Sequence, residues 1–322
     1  DEGIEIDAMG DGELCVAHRP NRLEALRREA ELLTDLTGLR HVTWSRDELA
    51  ERAYRGPEAH GALYIPAGFG LHPLKYLRGL ARAAMARGVA INGYSYVTQW
   101  SKEGDRHRLI TAAGSLRAKR VLVATNGFTR DGLHPAIEGR LLPVLSNIIT
   151  TRPLSDEERA DQGWRTEIPI VDSRNLLFYF RILKDGRFLL GARGGTDASP
   201  AGARRMHQWM IRRIGTMFPA WRKLEISHFW RGLICMAPGL TPHIGRLEDD
   251  PSVFYSLAYH GSGVAMASWS GRAIAREIGG RSGCPPLPVV VTRPLRRFPL
   301  PGLRLWYLRA AYAGYMLRDE YL

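Results

Sequence analysis

Apolar residues recur with helical spacing in several stretches of the chain. Leu23, Leu26, Ala30 and Leu33 share one face of a predicted helix. Asn21 with Glu24 gives a capping-box start, and Gly38 gives its stop. Ser45 and Glu48 repeat the capping pattern ahead of a short second helix. Leu74, Leu77, Ala81 and Ala84 line a third, which Gly88 ends, while Lys75, Arg78 and Arg82 face away. Met206, Trp209, Met210, Ile214 and Met217 fall at core spacing on a fourth. Helices over 263–278, closed by Gly279 and Gly280, and over 301–317 complete the set.

Between these helices the texture is that of strands. Residues 3–18 alternate around Gly10-Asp11-Gly12 and read as a hairpin. Residues 61–73 are a Gly- and Pro-rich loop between strand-like pieces, and 89–100 predict a strand or strand pair. Residues 107–127 predict a hairpin leading into Val121–Ala124, an apolar run that suits a strand covered on both faces. Residues 141–151 and 168–193 are strand-rich. The clearest hairpin spans 176–192, with Lys184-Asp185-Gly186-Arg187 as its turn. A strand over 253–259 runs straight into His260-Gly261-Ser262-Gly263. The expected fold class is therefore mixed α/β. Pieces at 72–129 and 225–280 enclose an antiparallel, strand-rich insertion, so two interleaved domains fit better than two in series.

Composition narrows the classes. With 322 residues, 45% of them hydrophobic, the chain can bury a sizeable core. No segment has the roughly 18 uninterrupted apolar residues of a membrane span. The 301–317 helix is too short and too rich in arginine to be one, and is expected to dock on the body. The formal net charge of +12 comes from scattered arginines unaccompanied by a nucleic-acid motif, so no nucleic-acid partner is expected. Cys15, Cys235 and Cys284 form no CxxC or Cys/His cluster. That argues against a metal and suits a reducing compartment, the cytoplasm. GxSxG, HExxH and GxxxxGK[ST] are all missing.

The stretch richest in chemistry is the strand, Gly261-Ser262-Gly263 and helix junction. Glycines there let a ligand approach the backbone, and the helix start offers unpaired N–H groups and partial positive charge. The third glycine of a dinucleotide fingerprint is replaced by Met266, and no strand ending in an acidic residue follows. The fitting role is to face an electron-accepting ring such as a flavin, whose reduced form carries negative charge. A plain tight turn is the alternative. Ala124-Thr125-Asn126-Gly127 closes the apolar 121–124 strand, where open α/β sheets bind nucleotides. Trp230 and Arg231 lie in a Gly- and Pro-broken stretch suited to walling a pocket. His260 stands apart from the other isolated histidines because it precedes the glycine loop.

Taken in order, GLHPLKYLRGLARAAMARGVAI (70–91), VLVATNGFT (121–129), NIITTRPL (147–154), FYFRILKDGRFLLGAR (178–193), WRGLICMAPGLTPHIGRL (230–247) and LAYHGSGVAMASWSGRAIAREI (257–278) resemble FAD-dependent oxidoreductases of the D-amino-acid-oxidase-like (DAO) family. Within it they are most similar to gamma-glutamylputrescine oxidoreductase-like members. The resemblance implies a glutathione-reductase-type FAD domain, here incomplete, interleaved with a substrate domain on an antiparallel sheet. It apportions 1–70 and 141–225 to the substrate domain, 71–140 and 226–285 to the FAD domain, and 286–322 to a C-terminal docking helix. It implies oxidation of an amine or amino acid, with dioxygen or another electron acceptor reoxidising the flavin. For FAD it points to Val97, Ala124, Thr125, Asn126, Gly127, Arg231, Gly232, Gly261, Ser262, Gly263, Val264 and Ala265, with Val97 meeting the adenine through a backbone strand. Tyr179, Arg181 and His260 are the expected catalytic set. Tyr179 and Arg181 alternate to one sheet face and are suited to a substrate carboxylate or amide. The family's opening strand–GxGxxG–helix is not in the chain, which begins at Asp1. The expectation is a piece of a longer enzyme, and the alternative is a subunit that does no chemistry without a partner.

Overall fold

A computed structural model describes residues 2–280 and 286–321, so Cys284 lies outside the described residues. The chain runs β1 (Glu13–Val16), α1 (Arg22–Thr37), β2 (Val42–Trp44), α2 (Arg46–Arg52), β3 (Ala62–Ile65), α3 (Pro73–Ala86), β4 (Gln99–Glu103), β5 (Arg106–Thr111), β6 (Gly114–Ala118) and β7 (Val121–Val123). It continues with β8 (Leu142–Pro153), α4 (Asp156–Gln162), β9 (Ile170–Asp172), β10 (Phe178–Ile182), β11 (Arg187–Arg193), α5 (Pro200–Met217) and β12 (Ile226–Met236). Then come β13 (His243–Arg246), β14 (Val253–Leu257), α6 (Gly263–Ile278), α7 (Val289–Thr292) and α8 (Arg304–Tyr321). The mixed α/β class is as expected. Two compact units interleave: the first comprises 1–88, 146–232 and 311–322, the second 89–145 and 233–310. Helix α3 groups with the first unit.

The first unit is built on an eight-stranded sheet in the order β12-β8-β11-β10-β9-β1-β3-β2. Its ladders β1–β3, β2–β3, β9–β10, β10–β11 and β8–β11 are antiparallel, and β1–β9 is parallel. On one face Phe178, Phe180, Phe188 and Leu190 pack against Met210, Ile214 and Met217 of α5, with Tyr54, Trp164, Phe218 and Trp221 filling the core. The period of two in β10 and of roughly 3.6 in α5 produces this match. The β10–β11 turn forms where Asp185-Gly186 predicts it, with Gly186 at φ +83°.

Several local expectations fail for identifiable reasons. Residues 3–18 form no hairpin: β1 pairs antiparallel with β3 and parallel with β9. Asn21 is in the helical region and its side chain makes no cap bond, so the first capping box does not form, whereas the Ser45–Glu48 box does. The 61–73 loop contains a buried strand, β3. The expected apolar face of α3 is exposed at Leu74 and Leu77, and its buried residue is Gly79, against which Ile4 packs. Residues 89–98 form no strand.

The far end of α8 is fastened within the first unit by buried polar groups. Asp319 is 2% exposed and accepts hydrogen bonds from the Asn175 amide, the Asn175 side chain and the Leu176 amide at 2.9, 2.6 and 2.9 Å. His18, also buried, lies 3.1 Å through Nε2 from the Asp319 carbonyl and 2.7 Å through Nδ1 from the Ser173 hydroxyl. Burial, aided by the nearby Arg174 charge, pushes the His18 pKa down to about 4 from 6.5. The neutral ring therefore suits the folded state. Its contribution is complete above about pH 6.5 and is lost as pH falls through that value towards about 4, with a slope of at most about 1.4 kcal/mol per pH unit. We expect urea-unfolding stability to decline across this window, and His18→Gln, which cannot titrate, to flatten that part of the profile.

Candidate functional site

The second unit gathers the glycine-loop residues. Strands β7 and β14 pair in parallel, Val121 with Val253, Leu122 with Phe254 and Val123 with Tyr255. Their carboxyl ends are thus adjacent, which brings Ala124–Gly127 beside the turn that follows β14. Strand β7 is the edge of a three-stranded sheet, β13-β14-β7. It is not covered on both faces as its apolar run suggests, because Leu122 is exposed.

One side chain ties the two strand ends together. Asn126 Oδ1 accepts the Ala258 amide at 2.9 Å. Asn126 itself sits at φ +44°, a left-handed conformation that asparagine tolerates better than most residues. The turn beyond carries further strain: Ala258, His260 and Gly261 have φ of +62°, +56° and +109°. Gly127 is required by packing, since a Cβ there would stand 2.8 Å from the Leu233 Cβ.

Helix α6 then starts at Gly263. Ser262 provides no side-chain cap, and the first backbone bond into the turn is from the Met266 amide to the Ser262 carbonyl. The amides of Gly263, Val264 and Ala265 make no hydrogen bond among the described residues. A Cβ on Gly263 would meet only Tyr259, at 3.7 Å. Val264 is exposed. The junction therefore presents free donors and partial positive charge, which fits an electron-rich ring.

His260 lies in the same turn. Its Nε2 lies 3.1 Å from the Thr241 carbonyl and its Nδ1 3.3 Å from the Met236 sulfur, so both ring nitrogens have neighbours that steady the strained turn. Val97 lies in the irregular run before β4, not in the strand expected for it. Cys235 is buried and its thiol is pushed up to about 12 by burial, while in the first unit the same cause raises Cys15 to about 12. Neither is poised as a thiolate. Among the described residues no cluster of His, Cys, Asp and Glu forms a metal site, and no helix is long and apolar enough to cross a membrane.

In the first unit Tyr179 and Arg181 pair across the ladder with Gly191 and Leu189, so the two share a sheet face as the alternation predicts. Each lies over a glycine. A Cβ on Gly191 would stand 1.9 Å from the Tyr179 ring, and one on Gly70 would stand 1.9 Å from Arg181 Nη1. Tyr179 OH is 3.0 Å from Ser146 Oγ, and Arg181 Nη2 donates to the Leu71 carbonyl at 2.6 Å. Burial raises the Tyr179 pKa and lowers that of Arg181. Arg181 makes no ion pair among the described residues, so its half-buried charge remains available to an anionic or amide group.

Arg231 is held by its own unit: Nε donates to Asn147 Oδ1 at 2.8 Å and Nη2 to the Asp197 carbonyl at 3.0 Å, while Asn147 Nδ2 donates to the Gly194 carbonyl at 2.8 Å. A Cβ on Gly232 would meet nothing within 4 Å. Asn147 and Arg193 were not singled out from the sequence. The same period of two that marks Gly191 reaches Arg193, whose backbone pairs with Ser146.

Residues 1–277 match the family described as FAD dependent oxidoreductase (DAO). The oxidoreductase OrdL of Haemophilus influenzae is 30% identical over 239 residues, which cover 73% of this chain and 53% of that protein. Gamma-glutamylputrescine oxidoreductase of Escherichia coli is 29% identical over 282 residues, covering 85% of this chain and 62% of that protein. The chain thus spans between half and two thirds of these relatives. Among solved structures, glycine oxidase of Geobacillus kaustophilus superposes with a TM-score of 0.76 at 19% identity, over 90% of this chain and 77% of that one.

Asn126→Ala should leave the buried Ala258 amide without an acceptor and cost about 1–3 kcal/mol in urea unfolding. Asn126→Asp, which keeps an acceptor and tolerates the same backbone, should recover most of that loss.

Proposed function

Because the chain belongs to the DAO family of FAD-dependent oxidoreductases, we propose that it carries out the oxidation of an amine or amino-acid C–N bond, with a gamma-glutamylputrescine-like amine as the favoured substrate class. The observation that supports this most is the second unit's junction: two parallel strand ends joined through Asn126, a strained turn, and an uncapped helix start with unpaired amides.

FAD, when bound, supplies the acceptor for the hydride leaving the amine carbon; the resulting imine is hydrolysed by water, and dioxygen reoxidation gives hydrogen peroxide. The chain's residues have the remaining tasks. The amides of Gly263–Ala265, with Gly261 and Ser262 shaping their approach, would stabilise negative charge on the ring by a dipole already in place. Ala124, Thr125, Asn126 and Gly127 would lie beside the nucleotide, as would the backbone at Val97, and Arg231 and Gly232 would flank the ring's edge. Tyr179 and Arg181 would hold a carboxylate or amide of the substrate and so align the unprotonated amine. His260 would maintain the loop's conformation. No general base is needed on this segment, because a neutral amine can pass hydride directly.

The test is spectroscopic. Purified protein supplemented with FAD should show flavin absorption in the visible blue, and anaerobic addition of gamma-glutamylputrescine should bleach it. Arg181→Ala should raise KM for this substrate about tenfold or more, in line with losing one charge-assisted hydrogen bond. Failure to retain flavin would favour the partner-dependent subunit. Retained flavin that no amine bleaches would overturn the proposed reaction.

A further inference from the structure

The second unit carries an exposed apolar corner. It is the stretch 300–307, where a short 3₁₀ turn, Pro301–Leu303, leads into the start of α8. Leu300 and Trp306 are 70% and 62% exposed, and Leu303, Leu305 and Tyr307 are exposed as well. Single apolar residues scattered over a surface need no explanation, but five within eight residues do. Leu300 also has φ +40°, a left-handed backbone that costs a bulky residue conformational energy and a glycine none. The side chain that brings this cost buries little of itself in the protein.

The backbone of this corner is tied down at several points. The Tyr307 hydroxyl donates to the Pro299 carbonyl at 2.9 Å, the Leu303 amide to the Leu300 carbonyl at 2.8 Å, and Arg304 Nε to the Pro301 carbonyl at 2.7 Å. The Phe298 amide donates to the Gly139 carbonyl at 2.9 Å, and Arg304 pairs with Asp131. Pro301 sits so close to Gly139 that a Cβ there would stand 2.8 Å from it. The apolar side chains are thus presented on a fixed frame. The charge around them is of one sign. Residues 286–310 contain five arginines and no acidic residue. Arg304 is spent on Asp131, while Arg293, Arg296, Arg297 and Arg309 are exposed. The Arg309 guanidinium lies over the Trp306 ring, 4.9 Å from its centroid.

We propose that this corner docks on the surface of an anionic lipid bilayer, with Leu300, Leu303 and Trp306 entering the boundary between headgroups and acyl chains and the surrounding arginines meeting lipid phosphates. Leucine and tryptophan beside arginine form the composition of an interfacial contact, and each basic residue near the surface adds attraction to anionic lipid. Guanidinium groups pair with phosphate oxygens in a fork. Such a contact lies on the membrane and needs no spanning helix. A second copy of the chain fits less well. It would bring arginines against arginines, and five apolar side chains fall far short of the roughly 20–30 residues a side of a stable interface. The proposal stands on the second unit alone and does not depend on flavin or on amine oxidation.

Co-sedimentation of the full chain with lipid vesicles provides the test, comparing phosphatidylcholine containing about 30% phosphatidylglycerol with phosphatidylcholine alone. Saturable binding to the mixed vesicles is expected, at least about tenfold weaker to the neutral ones and weakened again as salt is raised towards about 1 M. Leu300→Gly removes the exposed side chain and eases the backbone, so thermal stability should stay near that of the parent while vesicle affinity falls about tenfold. Trp306→Glu, at a second exposed position, should weaken binding further. Absence of binding to the mixed vesicles, equal binding to the neutral ones, or undiminished binding by both variants would each overturn the proposal. So would a concentration-dependent dimer, seen by light scattering without lipid and abolished by Trp306→Glu, which would assign the corner to a second copy. None of these measurements reads flavin or amine, so their outcome and that of the proposed reaction stand apart.

Discussion

The parallel pairing of β7 with β14 is the constraint on which the second unit's candidate site depends. Those strands are separated by more than a hundred residues in sequence, yet their register sets Val123 beside Tyr255 and so delivers both carboxyl ends to the same place. Asn126 then converts adjacency into a fixed geometry by accepting the Ala258 amide. That bond, with the His260 contacts to Thr241 and Met236, holds the left-handed conformations at Ala258 and His260, each of which costs on the order of 1 kcal/mol or more. The helix start at Gly263 inherits its position from this turn. What sequence comparison sees as a string of small residues is, physically, one backbone arrangement held by one side-chain amide.

The first unit solves a different problem, that of placing polar side chains on a sheet without losing their aim. Tyr179 and Arg181 do not project freely. Each is laid over a glycine, Gly191 and Gly70, where any larger residue would collide with it. Long side chains carry considerable rotamer entropy, and such beds remove much of it before a ligand arrives. The glycine and the residue above it therefore act as one positioned unit.

Much of this architecture is legible in the sequence where local chemistry decides the outcome. The Asp185-Gly186 turn, the Ser45–Glu48 capping box, the core stripe of α5 and the Gly261–Gly263 junction all follow from backbone preferences or periodicity. The failures come where partners distant in sequence decide. The 3–18 segment has the composition of a hairpin, but β1 finds β3 and β9. Leu74, Leu77 and Leu122 follow apolar patterns and are nevertheless exposed. The contacts of the His260 ring nitrogens with Thr241 and Met236 are likewise revealed by no local rule. The role of Asn126 as a tether required knowing that Ala258 lies beside it.

Asp319 couples the end of α8 to the sheet: it supplies the acceptors for the backbone amides of Asn175 and Leu176, just ahead of β10, from 144 and 143 residues further along the chain. The C-terminal helix is thereby a structural neighbour of the sheet. A substitution in α8 can change what borders Phe178 while leaving every strand untouched.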